Sequence, residues 1–579
     1  MKKRGCLKRI FQACCALSLV LLLLVWGLIL YPGWGIPFNS QRQGNPPLTP
    51  AWALECWVWE DDTNTAESTL EMVNGHIKHD FPVRTILIDS PWSTRYNDFA
   101  VDESRFPNPE QFFTSLDDRD IRVVLWMTSM VNHRNKDTAI ADSTPWHNEA
   151  AEKGYLLTSP DNMRWWKGEG GFIDYTNPDA MAWWRGMQEQ VLNWGVDGWK
   201  LDGSATLAFE MKGFIPWFYA DSDAGRLTTR RYMDHYYRDE LAHGQSKNAE
   251  FVTLSRSLDS VLPWGHPEGV APIDASPVNW VGDNKHTWSE EERGLQRAIR
   301  LILKSADMGY NIVGSDIAGY HGDNPIDAEL YIRWTQFSTF CGLFLNGGHG
   351  ERRMWMRSPE ELEIIRTYSW LHHELVPYMY HYVVSAHEGG RRLMKPLPEG
   401  PYHYLFGEDL LIAPIVAPGG THTVHLPEGQ WRYWFDDLTV IEGPATLTHS
   451  FPLEEYPVYI REGAIIPMQI SRDYTGIGEK SWENLLTYNI YPGNDRQFEY
   501  VDPETGTPTL ISTTFGDALY VAIDGPARPF LIRMHYPKAP VSLRFNETMV
   551  EADRWYYDAP SQRLIIRSAT GEPGRYRIE

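Results

Sequence analysis

Five apolar runs of this chain each end in a charged residue. They read RTILID to Asp89, VDGWKLD to Asp202, EFVTLSR to Arg256, PVNWVGD to Asp283 and YNIVGSD to Asp316. A charge at the last position of an apolar strand is poorly placed in a core. It is well placed at the C-terminal mouth of a (β/α)8 barrel, the end where that fold keeps its chemistry. Eight strands are expected, over residues 52–59, 84–89, 121–127, 197–202, 250–256, 277–283, 310–316 and 340–346. Helical stretches precede most of them. The clearest carries Leu295, Ala298, Ile299, Ile302 and Leu303 at the spacing of one amphipathic face. Residues 257–276 read as a loop, tolerable at the functional rim of such a barrel.

At 579 residues the chain exceeds one hydrophobic core. After about residue 385 the texture shifts to short strand-like runs (HTVHL, QWRYWF, PVYIR, ALYVAI, PFLIRMHY) between turns such as Pro427-Glu-Gly and Pro492-Gly. That texture belongs to antiparallel β-sandwiches. The N-terminus carries Lys2, Lys3, Arg4, Lys8 and Arg9 before an apolar run over 10–31 broken only by Gln12 and Ser18. About 20 such residues suffice to span a bilayer, and the basic bias places the N-terminus in the cytoplasm. The run ends in Tyr31-Pro-Gly-Trp, a poor cleavage site, so an uncleaved anchor is expected rather than a signal peptide. The expected α/β organisation is therefore a cytoplasmic segment (1–9), a transmembrane helix (10–31) and a linker (32–50). A (β/α)8 TIM barrel (51–384), a proximal β-sandwich (385–470) and a distal β-sandwich (471–579) follow, all on the extracytoplasmic side.

The formal charge of −23 excludes nucleic acid as a partner, since phosphate binding needs a basic surface. Only Cys56 and Cys341 lie in the body, which rules out a disulfide framework or a cysteine metal cluster and points to two buried thiols. The 25 Trp and 29 Tyr serve either as platforms for sugar rings or as filler of a large barrel.

Asp202 and Asp283 end strands four and six, from which two carboxyl groups can approach across a barrel mouth. Cleavage of a glycosidic bond with retention needs such a pair, about 5–5.5 Å apart. Lys200 points to the same side of its strand as Asp202, where a cation favours the ionised form. Trp280 and Trp288 lie near Asp283 in sequence, and partial desolvation would help it hold a proton. Any one of these carboxylates could instead cap the following helix. Five at matching strand ends argue against that.

The blocks GWKLDGS, SRS at 255–257, NWVGDNKHTW and GSDIAGY resemble glycoside hydrolase family 31, in that order. The similarity continues through RWTQFSTF, LVPYMYHY, GEDLLIAPIV, LPEGQWRYWFDD and PVYIREGAIIPM, covering about residues 52–530. The resemblance implies a retaining α-glycosidase with no metal or other cofactor. By position in these motifs, Asp202 matches the nucleophile and Asp283 the acid/base. Asp89, Trp126, Arg256, Trp280, Asp316 and His349 match substrate-binding positions, and Lys200 is grouped with them. Two departures stand out. No Glu follows Asp202 by three residues, which leaves the sugar open. The β-sandwich that usually precedes the barrel is replaced by the linker, implying an open cleft or one completed by a second copy or a partner chain. In its tethered topology the chain is similar to the myogenesis-regulating glycosidase branch. The expected activity is hydrolysis of terminal α-linked sugars, of glucoside or galactoside type, from an oligosaccharide or glycoside. The alternatives are a transglycosylase on the same site and a sugar-binding scaffold that has lost its chemistry.

Overall fold

The computed structural model describes residues 11–24, 42–203, 219–260 and 269–579. Eight parallel strands form the barrel: β1 Cys56–Val58, β2 Thr85–Ile88, β3 Arg122–Met127, β4 Gly198–Leu201, β5 Val252–Arg256, β6 Val278–Trp280, β7 Val313–Gly314 and β8 Phe344–Asn346. Their order is β7-β6-β5-β4-β3-β2-β1-β8. The seam between β7 and β8 is closed by a single parallel bridge, Asp316 to Leu345. Nearly every strand residue is buried, because helices cover one face and barrel-filling side chains the other.

The outer helices are α1 Ala66–Lys78, α2 Pro109–Asp117, α3 Pro178–Asn193, α4 Thr229–Lys247, α5 Leu295–Met308, α6 Ala328–Thr339 and α7 Pro359–Glu374. The apolar stripe on α5 buries Leu295, Ala298, Ile299, Ile302 and Leu303, as its spacing requires. Between β5 and β6 only a 3-10 turn, Ile273–Ala275, appears among the described residues, and 261–268 lie outside them.

All eight expected strands are present, and each is shorter than expected. The first begins only at Cys56, after a 3-10 turn over Ala51–Leu54. The sixth stops at Trp280, just before Gly282, whose φ of +80° lies outside the extended region. One unit was not anticipated. A three-stranded sheet (Met130–Asn135, Gly168–Phe172, Met163–Trp165) is inserted between β3 and α3 and rises beside the mouth.

The expected proximal sandwich is instead one six-stranded antiparallel sheet running from Met394–Pro396 to Asp436–Ser450. Strand Ile465–Met468 pairs with Leu486–Ile490 and so joins the distal unit. That unit has two sheets, of five and six strands, whose facing apolar side chains share one core. Buried Arg333 on α6 holds the proximal sheet to the barrel. Its guanidinium donates to the carbonyls of Phe451 (3.0 Å), Pro452 (3.1 Å) and Glu455 (2.7 Å). Cys56 and Cys341 are both buried, free thiols.

The expected transmembrane helix is only partly within the described residues. Residues 11–24 are helical, but no helix among the described residues is long and apolar enough to cross a membrane. The rest of the 10–31 run, and the 1–9 segment, lie outside them. Of the linker, residues 42–50 lie against the body, where Thr49 donates to the Pro277 carbonyl at 2.8 Å.

Candidate active site

At the C-terminal mouth of the barrel lies a cleft of about 700 Å³. Of the nine side chains singled out from the sequence, Asp89, Trp126, Lys200, Asp202, Arg256, Asp283 and His349 line it. Trp280 and Asp316 are buried and lie beneath these groups. Seven of the nine thus share one cleft.

Arg256 organises it. Its Nη2 lies 3.2 Å from an oxygen of Asp202 and 3.1 Å from an oxygen of Asp283. Nη1 reaches Asp259 at 3.2 Å. One nitrogen therefore holds both expected catalytic carboxylates. Their two oxygens cannot lie further apart than two hydrogen bonds end to end, a limit compatible with the spacing of retaining pairs, about 5–5.5 Å. Close approach here depends on Gly282. A Cβ at that position would meet Arg256 Nη1 at 2.5 Å, and φ is +80°.

Asp202 follows β4, and its backbone N–H continues the sheet to the Met127 carbonyl at 3.1 Å. Its carboxylate accepts from the Gly203 N–H (2.9 Å), Trp126 Nε1 (3.3 Å) and Arg256 Nε (3.2 Å). Burial alone would raise its pKa. Arg256 first, then Lys200, outweigh that and hold it below the ordinary carboxylate value. Asp283 is placed differently. Its side chain is 35% exposed, open to a leaving group or water.

Lys200 acts on Asp202 through its charge, as its side of the strand suggested, and makes its bond elsewhere. Its Nζ donates to Asp89 at 2.7 Å, and both side chains are buried. Beneath it lie the rings of Trp59 (4.1 Å) and Trp280 (5.4 Å), an aromatic floor that suits a cation. Trp280 also faces the Arg256 guanidinium at 4.7 Å. Burial would lower the Lys200 pKa, but Asp89, Asp316 and Asp202 reverse that and keep it cationic. Asp316 accepts from Trp59 Nε1 at 3.2 Å, and burial pushes its carboxyl up to about 7. Trp126 stacks on Trp165 of the inserted sheet, with 6.2 Å between centroids.

Sequence reasoning missed one wall. Asp61 and Asp62 follow β1, and Tyr320 follows β7. The Tyr320 hydroxyl donates to Asp61 at 2.6 Å, and His349 lies between the two acids, 3.4 Å from Asp61 and 2.7 Å from Asp62. Burial, with Asp89 adding to it, raises the Asp61 carboxyl to about 7. Asp61 lies beyond a strand that proved shorter than its apolar run, so no strand-end signal marked it. Trp166, supplied by the unanticipated insertion, also lines the cleft and is 46% exposed.

Comparison with known proteins agrees with this architecture. The family model "Glycosyl hydrolases family 31 TIM-barrel domain" matches residues 46–382, and the C-terminal domain of the same family matches 397–466. An α-xylosidase of Emericella nidulans is 26% identical over 489 residues, 80% of this chain and 59% of its own length. Alpha-glucosidase 2 of Bacillus thermoamyloliquefaciens is 26% identical over 79% of this chain and 58% of its own. The chain thus spans about three-fifths of the length of these relatives. A likeness of fold extends to the GH31 dextranase of Flavobacterium johnsoniae, with a TM-score of 0.77, 21% identity, and coverage of 93% of this chain and 71% of that one. With a family model matching more than half its length, the chain belongs to glycosyl hydrolase family 31.

Proposed function

We propose that the chain is a retaining α-glycosidase that releases terminal α-linked sugars by double displacement. The observation that carries this reading is the single Arg256 nitrogen shared by Asp202 and Asp283. Asp202, held ionised by Arg256 and Lys200, attacks the anomeric carbon. Asp283 protonates the departing oxygen. It then takes a proton from the water that breaks the glycosyl–enzyme bond, and the sugar leaves with its α configuration retained. The substrate class proposed is a glucoside or galactoside, and the names of the α-xylosidase and α-glucosidase relatives support a neutral sugar of glucoside or xyloside type.

Trp166 favours a second outcome at the same site. An exposed ring lining the cleft can hold an acceptor sugar as readily as an aglycone, and a sugar hydroxyl would then replace water. The proposal includes a membrane tether: the apolar run over 10–31, behind its basic cluster, holds the barrel outside the cytoplasm.

The full chain in neutral detergent, tested against aryl α-glycosides of glucose, galactose and xylose, should turn over at least one. Asp202→Asn should lower that turnover by about 10⁴-fold or more. NMR of the first product should show the α anomer, and added sugar acceptors would reveal transfer products. A well-folded chain indifferent to Asp202→Asn would overturn the catalytic reading in favour of a sugar-binding scaffold.

A further inference from the structure

The molecule's formal charge is −23, yet one groove away from the cleft carries five cationic side chains. Helix α5 runs back from the mouth, so its last turn, with Ala306 and Asp307, lies at the opposite end of the barrel. There a groove of about 560 Å³ opens between α5, the proximal sheet and Arg496 of the distal unit. Arg391, Arg392, Lys395, Arg461 and Arg496 line it, against only two acids, Asp307 and Glu408.

Not all of that charge is internally compensated. Arg391 pairs with Glu408, while Arg496 reaches Glu408 at 3.4 Å and Asp409 at 3.0 Å. Arg392 and Lys395 make no ion pair among the described residues, and both are exposed. Arg461 donates Nε to the Glu408 backbone carbonyl at 3.1 Å. Burial pulls it below the ordinary guanidinium range, against the pull of Asp409 and with Arg496 adding to the fall. A groove where guanidinium groups and an ammonium converge, with positive charge in excess, suits a tetrahedral oxyanion that accepts several charge-assisted hydrogen bonds.

The position of the N-terminal linker says where such an anion would come from. Asn45 donates to the His387 carbonyl at 3.0 Å, and His387 Nδ1 lies 3.0 Å from the Pro46 carbonyl. Gly390 and Arg391, on the groove wall, follow closely after His387 in the chain. The stretch between residue 31 and Arg42 reaches at most about 40 Å even fully extended. The linker therefore passes beside the segment that leads into the groove, and its first described residue, Arg42, is held by Asp234 and the Val270 carbonyl.

We infer that this groove binds a phosphate group, presented by the anionic lipid headgroups of the membrane that the N-terminal run enters. Only the source of the phosphate rests on the tether proposed above. The charge and shape of the groove stand without it. Lipid bound there would hold the barrel with its mouth turned away from the bilayer, toward soluble glycans.

The test uses the full chain in neutral detergent and reads its thermal midpoint. Inorganic phosphate, against chloride at equal ionic strength, should raise the midpoint saturably by about 2–3 °C. Mixed micelles containing phosphatidate or phosphatidylglycerol should do so at a phosphate concentration at least about tenfold lower, and phosphatidylcholine should not. The Arg392→Glu/Lys395→Glu variant should keep the ligand-free midpoint, since neither residue is ion-paired, and lose both shifts. The milder Lys395→Gln should lose part of them. No shift with phosphate or anionic lipid, or a shift that survives the double charge reversal, would overturn the site. A shift with free phosphate but none with anionic micelles would overturn the lipid assignment. None of these readouts depends on glycosidase activity, so failure here and failure of the catalytic reading are separable.

Discussion

Arg256 does what a lysine in its place could not. Its planar fork reaches Asp202, Asp259 and Asp283 at once, whereas an ammonium is a single point of charge. Arg256→Lys should therefore preserve the fold but cut kcat/KM by about 10²-fold or more, as removal of one preorganised donor does elsewhere. Circular dichroism and steady-state kinetics on the reactive aryl glycoside would check both halves. Asp61 is the other residue to test. It lines the cleft and is held in place by Tyr320 and His349. Asp61→Asn keeps the shape and removes the charge. If this carboxyl accepts a sugar hydroxyl, kcat/KM should fall by about 10- to 100-fold, the weight of a hydrogen bond to a charged group. A substrate deoxygenated at the hydroxyl it reads should be indifferent to the change. At this scale the residues alone were most informative where a side chain ended an apolar run, while Trp126, Trp280 and His349 came from the family resemblance. Asp89, Asp202, Arg256, Asp283 and Asp316 announced themselves that way. Lys200 favours the ionised form of Asp202, as its side of the strand suggested, while its bond goes to Asp89, a partner that alternation along a strand does not specify.

Elements here are fixed by contacts that local propensity does not encode. Helix α6 is buried almost throughout, and Arg333 within it serves the proximal sheet rather than the barrel. Arg333→Met would take the donor from the Phe451 and Glu455 carbonyls, while the Pro452 carbonyl would keep the Glu455 N–H. A loss of about 3 kcal/mol or more is expected, read as a lower denaturant midpoint with the cleft chemistry unchanged in the surviving folded fraction. By contrast, the start of α7 is written in the sequence. Ser358 accepts from the Glu361 N–H, and Glu361 accepts from the Ser358 N–H, a reciprocal cap. Ser358→Ala should cost about 1 kcal/mol by the same measurement. The barrel was legible because parallel strands covered on both faces must be continuously apolar and end abruptly. The insertion beside β3 was not, since its strands are short, Gly-rich and polar, and pair only with one another. The proximal sheet was misread as a sandwich for a related reason. Period-two alternation says one face is buried, and the barrel and distal unit can bury that face as well as a second sheet can.

For the whole molecule, buried ionisable groups set the response to pH, and they pull in opposite directions. Burial raises Asp61, Asp316 and Glu374 to about 7, and Asp197 and Asp409 to about 6. A carboxyl whose folded pKa is raised contributes stability below its unfolded pKa and loses it as pH climbs through the folded one. Burial lowers His76, His286, His372, His403, His422 and His535 to about 4. An imidazole so shifted has the reverse sign: its contribution is present above about 6.5 and is lost as pH falls toward 4. Between about pH 4.5 and 6.5 the two sets largely offset each other. Above 6.5 the histidines are neutral in both states, while the three carboxyls at about 7 must still ionise in the folded protein. Thermal midpoints should therefore be nearly level from pH 5 to 6.5 and lower at pH 8. Salt should recover part of that loss, because a chain of formal charge −23 repels itself and screening relieves it. Glu374 separates burial from general repulsion. It lies away from the cleft and accepts from the N–H groups of Ser471 and Arg472 at 2.8 and 2.9 Å, bonds that an amide oxygen can replace. Glu374→Gln should raise the midpoint at pH 8, leave it unchanged at pH 5 and leave turnover untouched. An equal shift at both pH values would mean that packing, not ionisation, accounts for the decline.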